Sequence, residues 1–480
     1  MINTENMALL CDFYEFTMGN GYLQSGKTDV VACFDLYFRK VPDKGGFAIA
    51  AGLSNVIEFL DNLNFSKQDI DFLRSKNVFC EEFLDYLSNF KFSCDVSAVE
   101  EGTPIFPNEP IITVKGPIIQ AQFLETMLLL LINHQTLIAT KANRICRAAK
   151  GRPVFEFGTR RAQGVDAAVM GARAAYIGGC TGTACAICEK LYGIPAVGTM
   201  AHSWVQMFDN ELDAFKTYAR FYPDNCTLLV DTYNSLKSGI PNAIKTHKEE
   251  LEPKGYRLKG IRIDSGDIAY LTKKARKMLK EAGMEDCQIF ASNSLDEYLI
   301  SDLLLQGAEI DNFGVGERLI TSRSEPVLGG VYKLVAVEKD ETMIPKIKFS
   351  ENPEKITTPG YKEVYRLFSN ETGNMSADLV ALKDEEFDFS QPITLFDPVF
   401  TWKRKTFENY TVKKLLVPIY INGKRVYEVP GIEDIKRYCK EEVDKIWDEV
   451  KRFENPQDYY VDLSDKLWNV KQDLLKHTLN

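Results

Sequence analysis

The chain has 480 residues, of which 45% are hydrophobic and 26% charged, with a formal net charge of −10. These values are typical of a globular protein of two or three domains, and the acidic balance argues against sequence-independent nucleic-acid binding, which needs clustered Lys and Arg. No apolar run approaches the roughly 20 residues that span a bilayer, and the start MINTENMALLCDFYEF lacks the basic region of a secretory signal, so we expect a cytoplasmic protein that binds neither nucleic acid nor membrane.

The first zone, residues 1–140, mixes the patterns of strands and helices and is predicted to be an N-terminal α/β domain. Its longest apolar run is short and is followed by polar residues, which indicates a buried helix. The predicted elements are strands at 30–38 and 111–114, an amphipathic helix at 50–62 and the buried helix at 123–132.

The middle zone, residues 141–338, alternates short apolar runs with helical patterns. Repeated βα units imply parallel strands, either closed into a barrel or wound as an open sheet. The predicted strands lie at 153–157, 175–179, 195–199, 227–231, 260–264, 288–292 and 310–316. The predicted helices lie at 164–175, 184–192, 267–281 and 295–305, the last with Ser294 and Glu297 in a capping-box spacing.

Polar residues cluster where these apolar runs end, and parallel α/β proteins carry their sites at the carboxyl ends of the strands. Side chains from many successive strand ends can converge only if the strands form a ring, so we favour an irregular TIM-like α/β barrel, with a mixed α/β second domain built from N-terminal and later segments. Helix capping explains several of these residues, but not Arg160 or His202. The residues are Arg160, Thr181, His202, Asp231, Asp264, Ser292, Asn293 and Gly316.

The third zone, residues 339–480, begins with a Pro- and Lys-rich stretch and continues into a strand-rich part. We expect part of it to pack on the N-terminal domain. A charged helical tail is predicted from residue 432, and its charges are typical of a solvated helix face.

Three groups in the middle zone carry possible chemistry. His202 is one of only four histidines, and a neutral imidazole is a good phosphoryl acceptor; the alternative is a structural histidine. Gly314 and Gly316 could admit phosphate oxygens to the backbone or form a tight turn. The alternation of side chains along a strand places Arg262 and Asp264 on the same side of it. Arg262 is suited to bind an anion and Asp264 to bind Mg²⁺ or ribose hydroxyls; the alternative is a structural ion pair.

The 11 cysteines are scattered and are predicted to be reduced thiols. Cys180, Cys185 and Cys188, with Cys226 beyond, match an iron–sulfur ligand spacing. The segment TACAICEKLYG is also typical of a packed helix with buried thiols, which is the interpretation we favour.

Several motifs, taken in order, resemble the nicotinate phosphoribosyltransferase family of type II phosphoribosyltransferases. They are FDLYFRKVPDKGGFAIAAGL, FEFGTRRAQGVDAAVMGARAAYIGGCTGT, VGTMAHSW, RIDSGD, FGVGERLITS and PVLGGVYKLVAV, which span about residues 7–340. The resemblance implies that nicotinate and phosphoribosyl pyrophosphate give nicotinate mononucleotide and pyrophosphate in NAD salvage. It also implies Mg²⁺, ATP hydrolysis through a phosphohistidine, and a homodimer with shared active sites.

The resemblance also implies residue roles. His202 matches the phosphorylated histidine, and Tyr14 matches an aromatic that stacks on the pyridine ring across the dimer. Thr199 matches a nicotinate contact. The positions that match residues binding pyrophosphate, Mg²⁺ and ribose are Arg160, Asp231, Arg262 and Asp264, with Asp264 as the metal ligand. Ser292 is predicted to bind substrate. Gly314 and Gly316 match the loop that binds the 5′-phosphate.

Thr181 bears on substrate choice, because related nicotinamide enzymes resemble this chain but carry an Asp there, which would repel the nicotinate carboxylate. One departure is Glu317, where some family members have Thr after the GVG. The alternatives are a sister transferase that uses nicotinamide or quinolinate, an iron–sulfur protein, and a non-catalytic binding barrel.

Overall fold

The computed structural model describes residues 7–478. Its strands are β1 Val31–Tyr37, β2 Ala48–Ile49, β3 Asp95–Ala98, β4 Pro104–Ile105, β5 Ile112–Pro117, β6 Val154–Glu156, β7 Gly182–Thr183, β8 Thr227–Leu229, β9 Gly260–Ile263, β10 Gln288–Ala291, β11 Asn312–Val315, β12 Val331–Lys339, β13 Thr342–Pro345, β14 Lys362–Ser369, β15 Met375–Leu382, β16 Ile393–Phe396, β17 Arg404–Phe407, β18 Tyr410–Lys414, β19 Val417–Ile421, β20 Lys424–Arg425 and β21 Val461–Leu463. Its helices are α1 Phe13–Gln24, α2 Leu53–Asp61, α3 Lys67–Ser75, α4 Glu81–Ser88, α5 Ile118–Gln122, α6 Glu125–Ala148, α7 Val165–Ile177, α8 Ala186–Tyr192, α9 His202–Gln206, α10 Glu211–Phe221, α11 Ile240–Thr246, α12 Ile268–Glu281, α13 Glu297–Leu305, α14 Glu317–Ile320, α15 Ile432–Asp444 and α16 Asp465–Thr478.

The chain divides into two compact units. One contains the residues up to Leu137 together with those from Val327 onward, and the other is Ile138–Pro326. The first unit holds an antiparallel sheet of order β13-β12-β1-β5-β3-β19-β20 and a second sheet of order β18-β14-β15-β21. Strand β1 is almost wholly buried, and its one charged residue, Asp35, pairs with Lys362 at 2.7 Å, as a buried charge requires.

One helical stretch, Ile118–Ala148, is long and apolar enough to cross a membrane by length and composition alone. Two thirds of its most apolar window is nevertheless buried inside the protein. This burial is typical of a core helix and agrees with the buried helix predicted at 123–132.

The second unit is built on a parallel sheet of order β7-β6-β11-β10-β9-β8, with helices between successive strands. The mixed α/β class is confirmed, but the predicted closed barrel is wrong. In the part of the chain that the structure describes, the edge strands β7 and β8 do not hydrogen-bond to each other, so the sheet is open.

Two of the seven predicted strands do not form, while the strand β7, which was not predicted, follows the first of them. The stretch at 175–179 begins as the last turn of α7, whose Ala-rich sequence favours helix, and it ends at Gly179 with φ +121°. The stretch at 195–199 contributes a single bridge, from Ala196 to Thr183. The helices α9 and α10 then occupy the chain before β8.

The remaining predicted strands and helices of the middle zone are confirmed within a few residues, but the capping box predicted for α13 does not form. Asp296 caps this helix by accepting from the Leu299 N–H at 2.9 Å, instead of Ser294. Glu297 is instead fully buried and pairs with Lys141 and Arg144 at 2.8 Å each. The spacing of Ser294 and Glu297 alone does not distinguish a capping box from a buried glutamate that forms ion pairs.

Candidate active site

The carboxyl ends of the parallel strands in the second unit lie along one edge of its sheet, because neighbouring parallel strands run in the same direction. The ladders pair Ala291 with Ile263 and with Phe313, so the residues that follow these three form one row. The predicted site residues in this row are Asp264, Ser292 and Gly314.

Arg262 is the centre of the hydrogen-bonded network at this edge. Its Nε donates to Ser292 Oγ at 2.9 Å, and its Nη1 donates to Thr199 Oγ1 at 3.3 Å. Its Nη2 lies 3.4 Å from Asp264 Oδ1, and the guanidinium lies 5.6 Å from the Phe157 ring centroid. The side chain is 17% exposed, so a cation is held in a fixed position with one side open to a ligand.

Two carboxylates lie beside this arginine. Asp264 accepts a hydrogen bond from Ser292 Oγ, while Asp231 Oδ2 accepts from the Asp264 N–H at 2.8 Å and from Ser265 Oγ at 2.6 Å. The other oxygen of Asp231, Oδ1, is buried and has no hydrogen-bond partner among the described residues. A buried carboxylate oxygen without a donor is a position for a ligand or a cation.

His202 is the first residue of the short helix α9, and its ring is half-buried. Its Nδ1 lies 3.1 Å from Thr232 Oγ1, in the residue that follows Asp231. This contact fixes the orientation of the ring. When Nδ1 donates to the hydroxyl, Nε2 carries the lone pair, as a nucleophilic histidine requires.

The predicted glycine loop is built around Phe157. A Cβ at Gly314 would lie 2.6 Å from this ring, and a Cβ at Gly316 would lie 3.2 Å from the Phe157 carbonyl oxygen. Close packing therefore requires glycine at position 314, independently of any phosphate. Glu317, which follows the loop, pairs with Arg323 at 3.2 Å on the surface.

Arg160 and Thr181 lie near this edge but do not join the network. Arg160 is exposed on the turn Thr159–Arg161, which follows β6. Thr181 is also exposed; its N–H donates to the Val154 carbonyl at 2.7 Å. Val154 pairs with Phe313, so Thr181 lies one residue before the row that contains Gly314.

Tyr14 belongs to the first unit, where it lies on α1. Its ring is 43% exposed and neighbours two other exposed apolar residues of this helix, Phe13 and Met18. Burial of the hydroxyl, and then the adjacent Glu125 carboxylate, raise the pKa of Tyr14, so the phenol stays neutral near pH 7.

The four cysteines of the iron–sulfur alternative are all buried. Burial raises the pKa of Cys188 to about 12, and its thiol donates to the Val169 carbonyl at 3.7 Å. Within residues 7–478, no three His, Cys, Asp or Glu side chains form a group that could hold a metal ion by themselves.

Thr232 and Phe157 are residues of the site that could not be identified from the sequence. Thr232 directly follows the predicted residue Asp231, and Phe157 ends the apolar run at 153–157. The sequence therefore shows that both residues lie at strand ends. It does not show that Thr232 contacts His202 or that Phe157 contacts Arg262, because these partners lie on other strands and loops.

Models of the nicotinate phosphoribosyltransferase family match most of the chain. The N-terminal domain model matches residues 9–133, the family model matches residues 153–371, and the C-terminal domain model matches residues 361–471.

Individual proteins are similar over nearly the whole chain. The nicotinate phosphoribosyltransferase of Bacillus subtilis is 44% identical over 97% of this chain and 95% of its own length. The crystal structure of human nicotinic acid phosphoribosyltransferase has a TM-score of 0.86 and 28% identity, covering 97% of this chain and 99% of its own. That of a nicotinate-nucleotide pyrophosphorylase from Pyrococcus furiosus has a TM-score of 0.71 and 25% identity, covering 93% and 97%.

Proposed function

The chain belongs to the nicotinate phosphoribosyltransferase family of enzymes, and from this premise we propose that it forms nicotinate mononucleotide and pyrophosphate from nicotinate and phosphoribosyl pyrophosphate. We further propose that ATP hydrolysis through phosphorylated His202 drives the reaction, as a step of NAD salvage. The observation that carries the proposal is the network of Arg262, Ser292, Asp264 and Asp231 beside an oriented His202.

Arg262 and Arg160 are proposed to bind the diphosphate of the substrate. Cleavage of the bond from C1 of ribose to pyrophosphate places positive charge on the ribose and negative charge on the leaving group. A guanidinium already held by Ser292 and Asp264 stabilises that negative charge without reorganising during the reaction. Arg160, which is exposed on its turn, can reach an anion bound at the same edge.

Asp264 is proposed to be the ligand of Mg²⁺, and the neighbouring Asp231 offers the same ion a carboxylate oxygen, Oδ1. The residues fit the ion because Mg²⁺ is commonly bound by one or two carboxylates together with substrate phosphates, and here Asp231 Oδ1 is buried without a partner in the described chain. The bound ion supplies charge neutralisation for the diphosphate oxygens. Asp231 also holds the Asp264 backbone through its other oxygen.

His202 is proposed to accept the γ-phosphoryl group of ATP, so that a bond forms from Nε2 to phosphorus as the bond to the departing ADP breaks; water then removes the phosphoryl group as phosphate. The contact of Nδ1 with Thr232 supports this assignment, because it leaves the other ring nitrogen free of hydrogen bonds from the residues that the structure describes. A phosphohistidine at this edge adds negative charge and bulk next to the substrate and thereby changes the affinity of the site for the substrate. In this way ATP hydrolysis is coupled to phosphoribosyl transfer, whose equilibrium is otherwise nearly balanced.

Further residues are proposed to bind the pyridine ring and the 5′-phosphate. Thr199 contacts nicotinate, and Thr181, which is neutral, permits its carboxylate to bind. Tyr14 of a partner subunit stacks on the pyridine ring, which its exposed side chain on α1 supports. Gly314 and Gly316, with Ser292, line the phosphate end of the ribose.

The working enzyme is proposed to be a cytoplasmic homodimer with shared active sites. The 95% coverage of the Bacillus subtilis relative supports the proposal that this chain carries the whole activity. The net charge of −10 argues against nucleic acid as a partner, so small anionic substrates are proposed to be held by local Arg residues.

A product assay on purified protein tests the reaction. Nicotinate, phosphoribosyl pyrophosphate and Mg²⁺ are incubated with and without ATP, and nicotinate mononucleotide is followed by chromatography, with parallel runs on nicotinamide and quinolinate. We expect product from nicotinate, increased by ATP. Product from nicotinamide or quinolinate alone would assign the chain to a sister activity and remove the role of Thr181.

His202→Ala tests the phosphohistidine separately. We expect this variant to fold, to lose ATP hydrolysis, and to retain weak transfer at high substrate concentration, because the Arg262 network is left intact. The matched control is His134→Ala, since His134 lies on α6 and is not one of the proposed site residues. Unchanged ATP hydrolysis in His202→Ala would refute the proposed role of His202.

A further inference from the structure

Glu156 is a buried carboxylate at the carboxyl end of β6. It is 0% exposed, and no Lys or Arg pairs with it among the described residues. Burial raises the pKa of this carboxyl group. A carboxylate in such a position is costly unless its oxygens accept hydrogen bonds, so the groups that donate to it identify what it holds.

One oxygen of Glu156 holds the turn that carries Arg160. Oε1 accepts from the Gly158 N–H. A Cβ at Gly158 would lie 2.6 Å from Ile320 Cβ and 2.7 Å from the Gly316 carbonyl oxygen, so this turn packs tightly against the glycine loop. The residue between, Phe157, donates its N–H to the Val315 carbonyl at 2.8 Å.

The other oxygen holds the segment that follows Thr181. Glu156 Oε2 accepts from Thr183 Oγ1 at 2.6 Å, and the same hydroxyl oxygen accepts from the Cys185 N–H at 3.0 Å. The Thr183 backbone is held from its other side, because its N–H donates to the Pro195 carbonyl at 3.0 Å. Thr183 lies only two residues from Thr181, so its position sets that of the exposed threonine.

We infer that Glu156 is a positioning residue, which couples the Gly158–Arg161 turn to the Thr181–Cys185 segment so that both face the substrate in one arrangement. This inference rests on the proposed function of the edge. One donor to Glu156 lies in the turn after β6 and the other in β7, and residues next to each are proposed to contact the diphosphate and the pyridine. Moving either loop therefore changes substrate affinity more than it changes the chemistry of a bound substrate.

Four variants test the coupling. Glu156→Leu leaves the Gly158 N–H and the Thr183 hydroxyl without their acceptor, and we expect the KM values for phosphoribosyl pyrophosphate and nicotinate each to rise about tenfold with a smaller change in kcat. Glu156→Gln keeps an acceptor for Gly158 and an amide for Thr183 and is expected to stay within about threefold of the wild type. Thr183→Val is expected to follow Glu156→Leu, and the double variant Glu156→Leu/Thr183→Val to lose no more than the larger single effect.

Thr272→Val is the matched control for Thr183→Val. Thr272 is 0% exposed on α12, and its hydroxyl donates to the Ile268 carbonyl at 2.7 Å, within its own helix. We expect it to lower the melting temperature and to leave both KM values unchanged. If Glu156→Leu does not fold, Thr183→Val alone carries the kinetic test, because it removes one hydroxyl with little change in volume.

Hydrogen exchange of the amides separates this inference from the proposed function. We expect Thr183→Val to increase exchange in both the 158–161 and the 181–185 segments, whatever the substrate of the enzyme. An inactive wild type would refute the proposed function. The coupling by Glu156 would be refuted by increased exchange in only one of the two segments, or by a raised KM for only one of the two substrates. Additive effects in the double variant would also refute it.

Discussion

Arg262 contacts three polar partners at once, and its replacement tests the network at the scale of one residue. Arg262→Ala removes the guanidinium and leaves Ser292 and Thr199 without their donor. We expect the KM for phosphoribosyl pyrophosphate to rise by about 10- to 100-fold, the cost of a lost charged hydrogen bond. The measurement is steady-state kinetics with nicotinate saturating.

Arg257→Ala is the matched control for this change of charge. Arg257 lies on the surface and pairs with Asp286 at 2.5 Å. Its replacement is expected to leave the KM values for both substrates unchanged, because surface ion pairs contribute little to stability and Arg257 is not a proposed site residue. Equal kinetics of Arg262→Ala and wild type would remove Arg262 from the substrate site.

Asp462 on β21 makes stability depend on pH. Burial and, less strongly, the Asp397 carboxylate raise the pKa of Asp462 to about 6 from 3.8. Because the folded state favours the protonated form, this stabilisation is present below about pH 4 and is lost as the pH rises through about 6. We expect Asp462→Asn to be more stable than wild type at pH 7, by at most about 3 kcal/mol, and equally stable at pH 4.

Denaturant unfolding of both proteins between pH 4 and 7 measures this difference directly. Asp286→Asn is a control of opposite sign, since the Arg257 guanidinium lowers the pKa of Asp286. The paired Asp286 carboxylate stabilises the fold above its ordinary pKa, and this contribution is lost as the pH falls. A pH-independent difference between Asp462→Asn and wild type would contradict the assigned cause.

At the scale of elements, the close approach of β11 to the turn after β6 depends on Gly314. Gly314→Ala would place a methyl group 2.6 Å from the Phe157 ring, and that ring lies against Arg262. We expect a loss of stability of about 1–3 kcal/mol together with a raised KM for phosphoribosyl pyrophosphate, because overpacking displaces the ring.

Thermal unfolding and kinetics of the same preparation check this prediction. Gly21→Ala is the control for stability, because a Cβ at Gly21 on α1 meets no atom within 4 Å and alanine favours the helix. A Gly314→Ala variant as stable and as active as wild type would show that the edge can adjust around the added methyl group.

The elements also show how far local patterns reach. Strands β8 to β11 were predicted because each is a short apolar run followed by polar residues. The run at 175–179 was misassigned because AAYI is equally apolar in a helix, and periodicity over so few residues does not distinguish the two. The strand of this unit is β7, Gly182–Thr183, which follows the helix.

At the scale of the whole molecule, a shared active site predicts complementation between inactive subunits. Tyr14→Ala and His202→Ala each damage every site of their own homodimer. In a mixed dimer, one site combines an intact His202 with an intact Tyr14 from the other subunit. After subunit exchange at equal amounts, we expect about a quarter of the sites to regain activity.

The measurement is product formation after the two variants are mixed, unfolded and refolded together, with each variant treated alone as the control. No recovery in a mixture that sediments as a dimer would show that Tyr14 and His202 of one chain serve the same site. Sedimentation as a monomer would remove the shared site altogether.

That Asp231, Asp264 and Ser292 lie at one edge of the sheet could be predicted from the sequence. The physical reason is that βα alternation makes the strands parallel, so that residues directly after them share a side of the sheet. The ordered motifs, from FEFGTRRAQG to FGVGERLITS, were also sufficient to indicate the family, which the similarity to known proteins confirms.

Whether the sheet closes, and which side chains pair across it, could not be predicted from local patterns. His202 contacts Thr232 across 30 residues, and Thr183 contacts Glu156 across 27. Each pairing depends on strand register and on the path of intervening helices, so it is set by the packing of the whole unit and by no local pattern. For the same reason the requirement for glycine at Gly314 became visible only once Phe157 was seen to pack against it.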